Sequence, residues 1–267
     1  MISKNVSVFL FAHQDDEVFA QVFLRQALQE GAVFCIFCTR APDNEMAHRR
    51  RLESERGLKA LGLSEKDIFF LGDELGIIDA HLPGSIGLLL QRMIELLVPL
   101  NVDAVYVPAW EGGHHDHDAL AVAGFALQNY FQTTVALNQY SLYHGERTSG
   151  KFFQVLTPLS SQLGKAKKFG LTIKDSLAII FSILYYPSQW KTWLGLAPVI
   201  LFHVLFRRAV FLVPLARESL LCWPHQGALL YERYGRIERQ EFLEVLSQSL
   251  HSAGFDALAA QLCQGLR

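Results

Sequence analysis

Val6-Ser-Val-Phe-Leu-Phe11 is an apolar strand pattern; after a short polar loop, Val18, Phe19, Val22, Phe23, Ala27 and Leu28 recur at helical spacing up to Gly31, and Val33 to Cys38 is apolar again. The helical spacing and the glycine that can cap it predict a helix between two strands. Such a βαβ unit implies parallel strands joined by a right-handed crossover.

Working outward, a second helix is predicted from about Ala47 to Leu61, ending at Gly62. A short strand follows at Ile68 to Leu71, then an amphipathic helix at Ile86 to Leu97. Asp103-Ala-Val-Tyr-Val-Pro108 supplies another strand, Asp118 to Phe131 a helix, and Val135 to Tyr143 a further strand. Strands alternating with helices give an α/β chain with a Rossmann-like, doubly wound, mostly parallel sheet, whose ligands sit beyond the C-terminal strand ends. Residues 1–150 read as the catalytic core. Residues 151–267 read as a helical, apolar C-terminal extension that completes the domain and the substrate pocket. Within it, Leu177 to Tyr186 and Leu194 to Leu215 are expected to form a buried helix pair, because Pro198, His203, Arg207, Arg208 and Pro214 interrupt the longer run. The same apolarity leaves a peripheral membrane contact open.

With 51% hydrophobic and 19% charged residues, the chain can bury a sizeable core. A net charge of −2 argues against a nucleic-acid partner, which needs a concentrated basic surface. Four cysteines are too few to staple a chain this long, and Cys35-Ile-Phe-Cys38 fits an alternating strand better than a redox or zinc pair. With no export signal read in the first residues, a cytoplasmic location is expected.

Two polar clusters stand where strands stop and helices start. In Ala12-His13-Gln14-Asp15-Asp16-Glu17, three consecutive carboxylates crowd one another unless a cation or solvent relieves them. A helix cap or helix-dipole role explains one of these acids but not His13. In Gly112-Gly-His114-His115-Asp116-His117, imidazole and carboxylate are good zinc ligands, and a catalytic zinc commonly takes three protein ligands and one open position. Two such loops at one sheet edge point to a metal centre.

These clusters resemble the LmbE/PIG-L family of zinc-dependent deacetylases, which carry Ala-His-Pro-Asp-Asp-Glu after the first strand and His-x-Asp-His after a later one. Gln14 stands where the family has proline. Arg50-Arg-Leu-Glu53, Leu61-Gly62 and Phe70-Leu-Gly72 extend the likeness, which spans residues 5–125, and Ser188-Gln189 weakly echoes a downstream Ser-Gln motif. The resemblance implies His13, Asp16 and His117 as ligands of Zn2+, or of another divalent metal, and Asp15 as general base. It further implies that His114 stands near the developing oxyanion or the leaving amine, with Asp116 orienting its ring and favouring its charged form. His115 falls at the variable position. Arg50 and Asp73 are candidate substrate contacts, with Asp79 beside them, and Trp223, Tyr231 and Glu232 suit a sugar-binding wall. The implied substrate is an N-acetylglucosamine-type small molecule or glycoconjugate. Without the resemblance, the residues also accommodate a metallophosphohydrolase built on pairs such as His117-Asp118, or a non-catalytic, metal-stabilised sugar-binding module.

Overall fold

A computed structural model describes residues 5–131 and 135–266. The elements run β1 (Val6–Phe11), α1 (Glu17–Glu30), β2 (Ala32–Phe37), α2 (Asn44–Leu61), β3 (Ile68–Phe70), α3 (Leu71–Leu75), α4 (Leu82–Leu97), β4 (Val102–Pro108), α5 (His115–Tyr130) and β5 (Ala136–Tyr140). A small hairpin follows, β6 (Tyr143–His144) with β7 (Gln154–Val155). The remainder is β8 (Lys167–Gly170), α6 (Ile173–Ser182), α7 (Trp190–Phe202), β9 (Ala209–Pro214), α8 (Arg217–Leu220), α9 (Leu230–Arg233), α10 (Arg239–Ser252) and α11 (Asp256–Gly265).

The main sheet has the order β3-β2-β1-β4-β5-β9-β8. Strands β1 to β5 pair in parallel, β9 runs antiparallel to β5, and β8 antiparallel to β9. Alternation along β1 divides the interior. Val6, Val8 and Leu10 join the core beneath α4, α5, α10 and α11, whereas Phe9 and Phe11 join the core beneath α1, α6 and α7. Because β1 pairs with β2 on one side and β4 on the other, the crossovers diverge between β1 and β4. That divergence leaves a crevice at the carboxyl ends of these two strands, where both histidine-carboxylate clusters emerge.

The predicted doubly wound α/β sheet is the observed one, with helix starts displaced. Helix α2 begins at Asn44 because Asp43 caps it, its carboxylate accepting the Met46 N–H. Helix α5 begins at His115 rather than Asp118, so His117 lies in its first turn. The C-terminal part departs from expectation. Leu194 to Leu215 is not one arm of a buried helix pair: α7 ends in a π-turn at His203–Arg207, Arg208 takes a left-handed conformation (φ 47°), and β9 then joins the sheet. Ala209, Val210 and Val213 are buried in this strand, where Val210, Phe211 and Val213 favour the extended backbone and pack on the half-buried sheet. Helices α6 and α7 are partly exposed rather than buried. Among the described residues, no helix is long and apolar enough to cross a membrane. Cys35 and Cys38 are buried, free thiols.

Candidate metal centre and active site

The β1–α1 loop folds around its own carboxylates. Asp16 Oδ2 accepts the His13 backbone N–H at 2.8 Å, and Glu17 Oε2 accepts the Asp15 N–H at 2.8 Å. These bonds hold Asp15 at φ 126°, a conformation L-residues rarely adopt and one of the strained geometries that collect at functional sites. Tyr186 donates its hydroxyl to Glu17 Oε1 at 2.7 Å, so a residue of the C-terminal part buttresses the loop from behind. Gln14, in the proline position, donates its amide to the Thr39 carbonyl at 2.9 Å and ties the loop to the end of β2.

The β4–α5 loop is shaped by glycine and by buried acids. Gly112 has φ 71°, and a β-carbon on Gly113 would lie 2.0 Å from the Tyr143 carbonyl oxygen, so only glycine fits that approach. Asp118 accepts the N–H groups of Glu111 and Gly112, both at 3.1 Å, and Glu111 accepts those of Leu142 and Tyr143, both at 2.8 Å. Asp118 is thereby committed to its own loop. Burial raises the Glu111 carboxyl to about 8 despite its two N–H donors. A carboxyl whose folded value exceeds its ordinary one contributes stability that is complete below the ordinary value and is lost as pH rises through the folded value. Glu111→Gln is therefore expected to gain on the wild type as pH rises from 4.5 to about 8, read as a widening gap in melting temperature. A gap independent of pH would remove Glu111 as the source.

His13, Asp16 and His117 offer one ligand atom each within 4.8 Å of one another. His117 Nε2 lies 3.2 Å from Asp16 Oδ1, and His13 Nδ1 lies 3.8 Å from Asp16 Oδ2. A second set, His13, His114 and Asp116, meets the same limit but is already satisfied. Asp116 is fully buried and accepts from His13 Nε2 at 3.0 Å, Ala80 N at 2.7 Å and Leu82 N at 3.1 Å. The first set opens onto a cavity of about 390 Å³ that includes Asp15 and His114 but not Asp116. Two imidazoles and a carboxylate suit zinc, and Asp116 stands behind His13 as a carboxylate that would fix that ring were it to ligate a metal.

The charge balance agrees. Burial disfavours charge on His13, yet its Asp116 hydrogen bond and the carboxylates of Asp16, Asp79 and Asp116 outweigh burial and raise it to about 10. The site thus attracts a cation, whether proton or metal. Burial, with Asp16 and Glu17 nearby, pushes the Asp15 carboxyl well above the usual range. Burial also resists ionisation of Asp16, but His117 and His13 hold it low.

The expected role of Asp116 toward His114 is not what the geometry gives. His114 Nδ1 accepts the Asp116 backbone N–H at 3.1 Å, capping α5, while the Asp116 carboxylate turns to His13. Burial first, then the neighbouring His13 charge, pull His114 well below the ordinary imidazole value. A neutral ring that accepts at Nδ1 carries its proton on Nε2. His115, at the variable position, has a structural part: its Nε2 donates to the Ala80 carbonyl at 2.9 Å, and with Asp116 it clamps the loop before α4.

That loop carries Asp79, whose Oδ2 accepts from Arg50 Nη1 at 2.8 Å and whose Oδ1 accepts from the Thr39 hydroxyl at 2.7 Å. Arg50 and Asp79 line the cavity. Asp73 does not; from α3 it pairs with Arg40 at 3.6 Å. Trp223, Tyr231 and Glu232 also lie off the cavity, Tyr231 buried and Glu232 bonded to Arg239. Gln189, Thr192, Leu196, Tyr143 and Arg236 complete the walls. Gln189 follows Ser188, whose N–H and hydroxyl donate to Glu53 at 3.0 and 2.5 Å, so α2 supplies Arg50 to the cleft and, three residues on, an anchor for the segment that carries Gln189.

Residues 8–127 match the family model described as PIG-L, GlcNAc-PI de-N-acetylase. They form a PIG-L family domain. No curated protein sequence matches the chain. Among solved structures, a triple mutant of a deacetylase in the teicoplanin biosynthetic pathway is 17% identical with a TM-score of 0.58, covering 79% of this chain and 97% of its own. The pseudoaglycone deacetylase Dbv21 is 17% identical with a TM-score of 0.54, covering 80% and 97%. The zinc-inhibited form of teicoplanin deacetylase Orf2 is 16% identical with a TM-score of 0.56, covering 80% and 100%. At these identities the likeness establishes the fold. A PIG-L domain bearing this cluster of ligating side chains supports a metal-dependent, amide-hydrolysing deacetylase.

Proposed function

We propose that the protein removes the N-acetyl group from an N-acetylglucosamine-type sugar or glycoconjugate, with His13, Asp16 and His117 holding a divalent cation, zinc being the best match to the donors. The observation that carries this reading is the convergence of those three donors on the floor of a cleft that also contains the Asp15 carboxylate. When bound, the cation supplies Lewis acidity that polarises an amide carbonyl and makes water more acidic. Asp15 accepts the proton from the attacking water and returns it to the leaving nitrogen. His114, neutral with its Nε2–H free, donates to the carbonyl oxygen as negative charge develops there. This assigns His114 a donor role that does not require a positive ring. Asp116 orients His13 rather than His114. Arg50, which lines the cleft with its Nη1 held by Asp79, has further guanidinium donors for sugar hydroxyls or for a phosphate on the glycoconjugate.

The metallophosphohydrolase reading finds little support. Asp118 is taken by the loop backbone, and the two ligand groups found among the described residues share His13. The test combines metal analysis with a screen for amine release over N-acetylated sugars, each run with zinc, iron and cobalt, since a solved deacetylase of this fold is described as zinc-inhibited. One metal per chain and equal amounts of acetate and amine are expected. Two metals per chain, with phosphate release and no amine, would overturn the proposal.

A further inference from the structure

Helices α6 and α7 are apolar on both faces. Inward, Ile179, Trp193 and Ile200 are buried against the core. Outward, Ile173 (67% exposed), Phe181 (59%), Leu184 (74%), Trp190 (59%), Leu194 (72%) and Phe206 (73%) follow one another along the same segment. A helix apolar all round normally has something against every face, and scattered single exposures do not produce such a run.

Charge identifies what covers it. Residues 151–217 hold nine lysines and arginines against one acid, Asp175, in a chain whose total charge is −2. Lys174 follows Ile173, Lys191 follows Trp190 with its ammonium 5.7 Å from the indole ring, and Arg207 and Arg208 follow Phe206; all four basic residues are exposed. We propose that this ridge docks on a lipid surface bearing anionic headgroups, its apolar side chains entering the headgroup boundary and its basic side chains meeting the lipid charge. A segment of this composition lies in the interface rather than across it, in keeping with α7 spanning only 13 residues. A second copy of the chain is the poorer occupant, because a two-fold contact would set the basic segment against itself.

The site benefits from this placement. Thr192 and Leu196 line the cleft while Trp190 and Leu194 face outward, so one helix forms both the cleft wall and the docking ridge. A docked molecule holds its cleft at the lipid boundary, in reach of substrates with a lipophilic part.

The test is sedimentation of the full chain with vesicles of phosphatidylcholine alone and of phosphatidylcholine mixed with phosphatidylglycerol. Binding to the mixed vesicles is expected, weakened about tenfold at high salt. Tryptophan emission should shift to the blue, and Trp190→Phe should remove most of that shift. The triple variant Leu184→Glu/Leu194→Glu/Phe206→Glu should keep the wild-type melting temperature and lose at least about tenfold in partitioning. The proposal falls if the wild type stays in the supernatant, if the triple variant sediments as well as the wild type, or if the wild type dimerises through the ridge and ignores vesicles. None of these readings depends on turnover, so the result stands apart from the deacetylase assignment.

Discussion

Asp15→Asn is expected to lower amide hydrolysis by about 10²- to 10⁴-fold while leaving one metal per chain, because the change removes the proposed proton acceptor and no member of the proposed ligand triad. The substitution preserves shape, and Glu17 still accepts the backbone N–H that holds residue 15 in place. Stability should move the other way. In the metal-free protein, burial and the Asp16 and Glu17 carboxylates raise the Asp15 carboxyl well above its ordinary value. Such a group contributes stability at low pH that is lost as pH rises through the folded value. The asparagine variant, having nothing to ionise there, should therefore melt higher than the wild type at neutral pH, and the two should converge in acid. Retained turnover would end the general-base assignment; a lost metal would mean that Asp15 is itself a ligand.

The second large effect is expected at Asp116. Asp116→Ala leaves the Ala80 and Leu82 N–H groups and His13 Nε2 without their acceptor in a fully buried position. Each orphaned buried group costs about 1–3 kcal/mol, and because the His13 and Ala80 bonds are only part-buried, the loss in denaturant unfolding is expected toward the low end for three groups, roughly 3–5 kcal/mol. Metal affinity should fall about 10- to 100-fold, as it does when the carboxylate behind a ligating histidine is removed. Asp116→Asn keeps one acceptor oxygen and should recover part of the stability but less of the affinity. If Asp116→Ala unfolds like the wild type and binds metal as tightly, the role assigned to Asp116 is wrong.

Much of this was legible in the sequence where local chemistry decides structure. The β1–α1–β2 unit, the parallel sheet and the grouping of His13, Asp15, Asp16, His114 and His117 at one crevice follow from period, glycine and the rule for strand ends. The start of α5 was not legible, because the cap is an imidazole, His114, rather than the serine, threonine, aspartate or asparagine that usually marks a helix start. The partner of Asp116 was hidden for a different reason: His13 is 103 residues away, and spacing along one loop favours its neighbour His114. Asp79 rather than Asp73 reaches the cleft because the backbone just after it, at Ala80 and Leu82, is pinned by His115 and Asp116, a contact between distant segments. Strand β9 was concealed inside an apolar run whose break is a single left-handed residue, Arg208.

The hydroxyl of Tyr186 behind Glu17 has a consequence for biosynthesis. Loop residues 13–17 leave the ribosome early, but their rear support is translated some 170 residues later, and the pairing of β9 with β5 later still. A nascent chain can lay down β1 to β5 in order while its ligand loop still lacks that buttress. Support of the ligand loop is in this sense a late step in the chain's synthesis, and a ribosome-stalled chain ending before Tyr186 should bind zinc more weakly than the released protein.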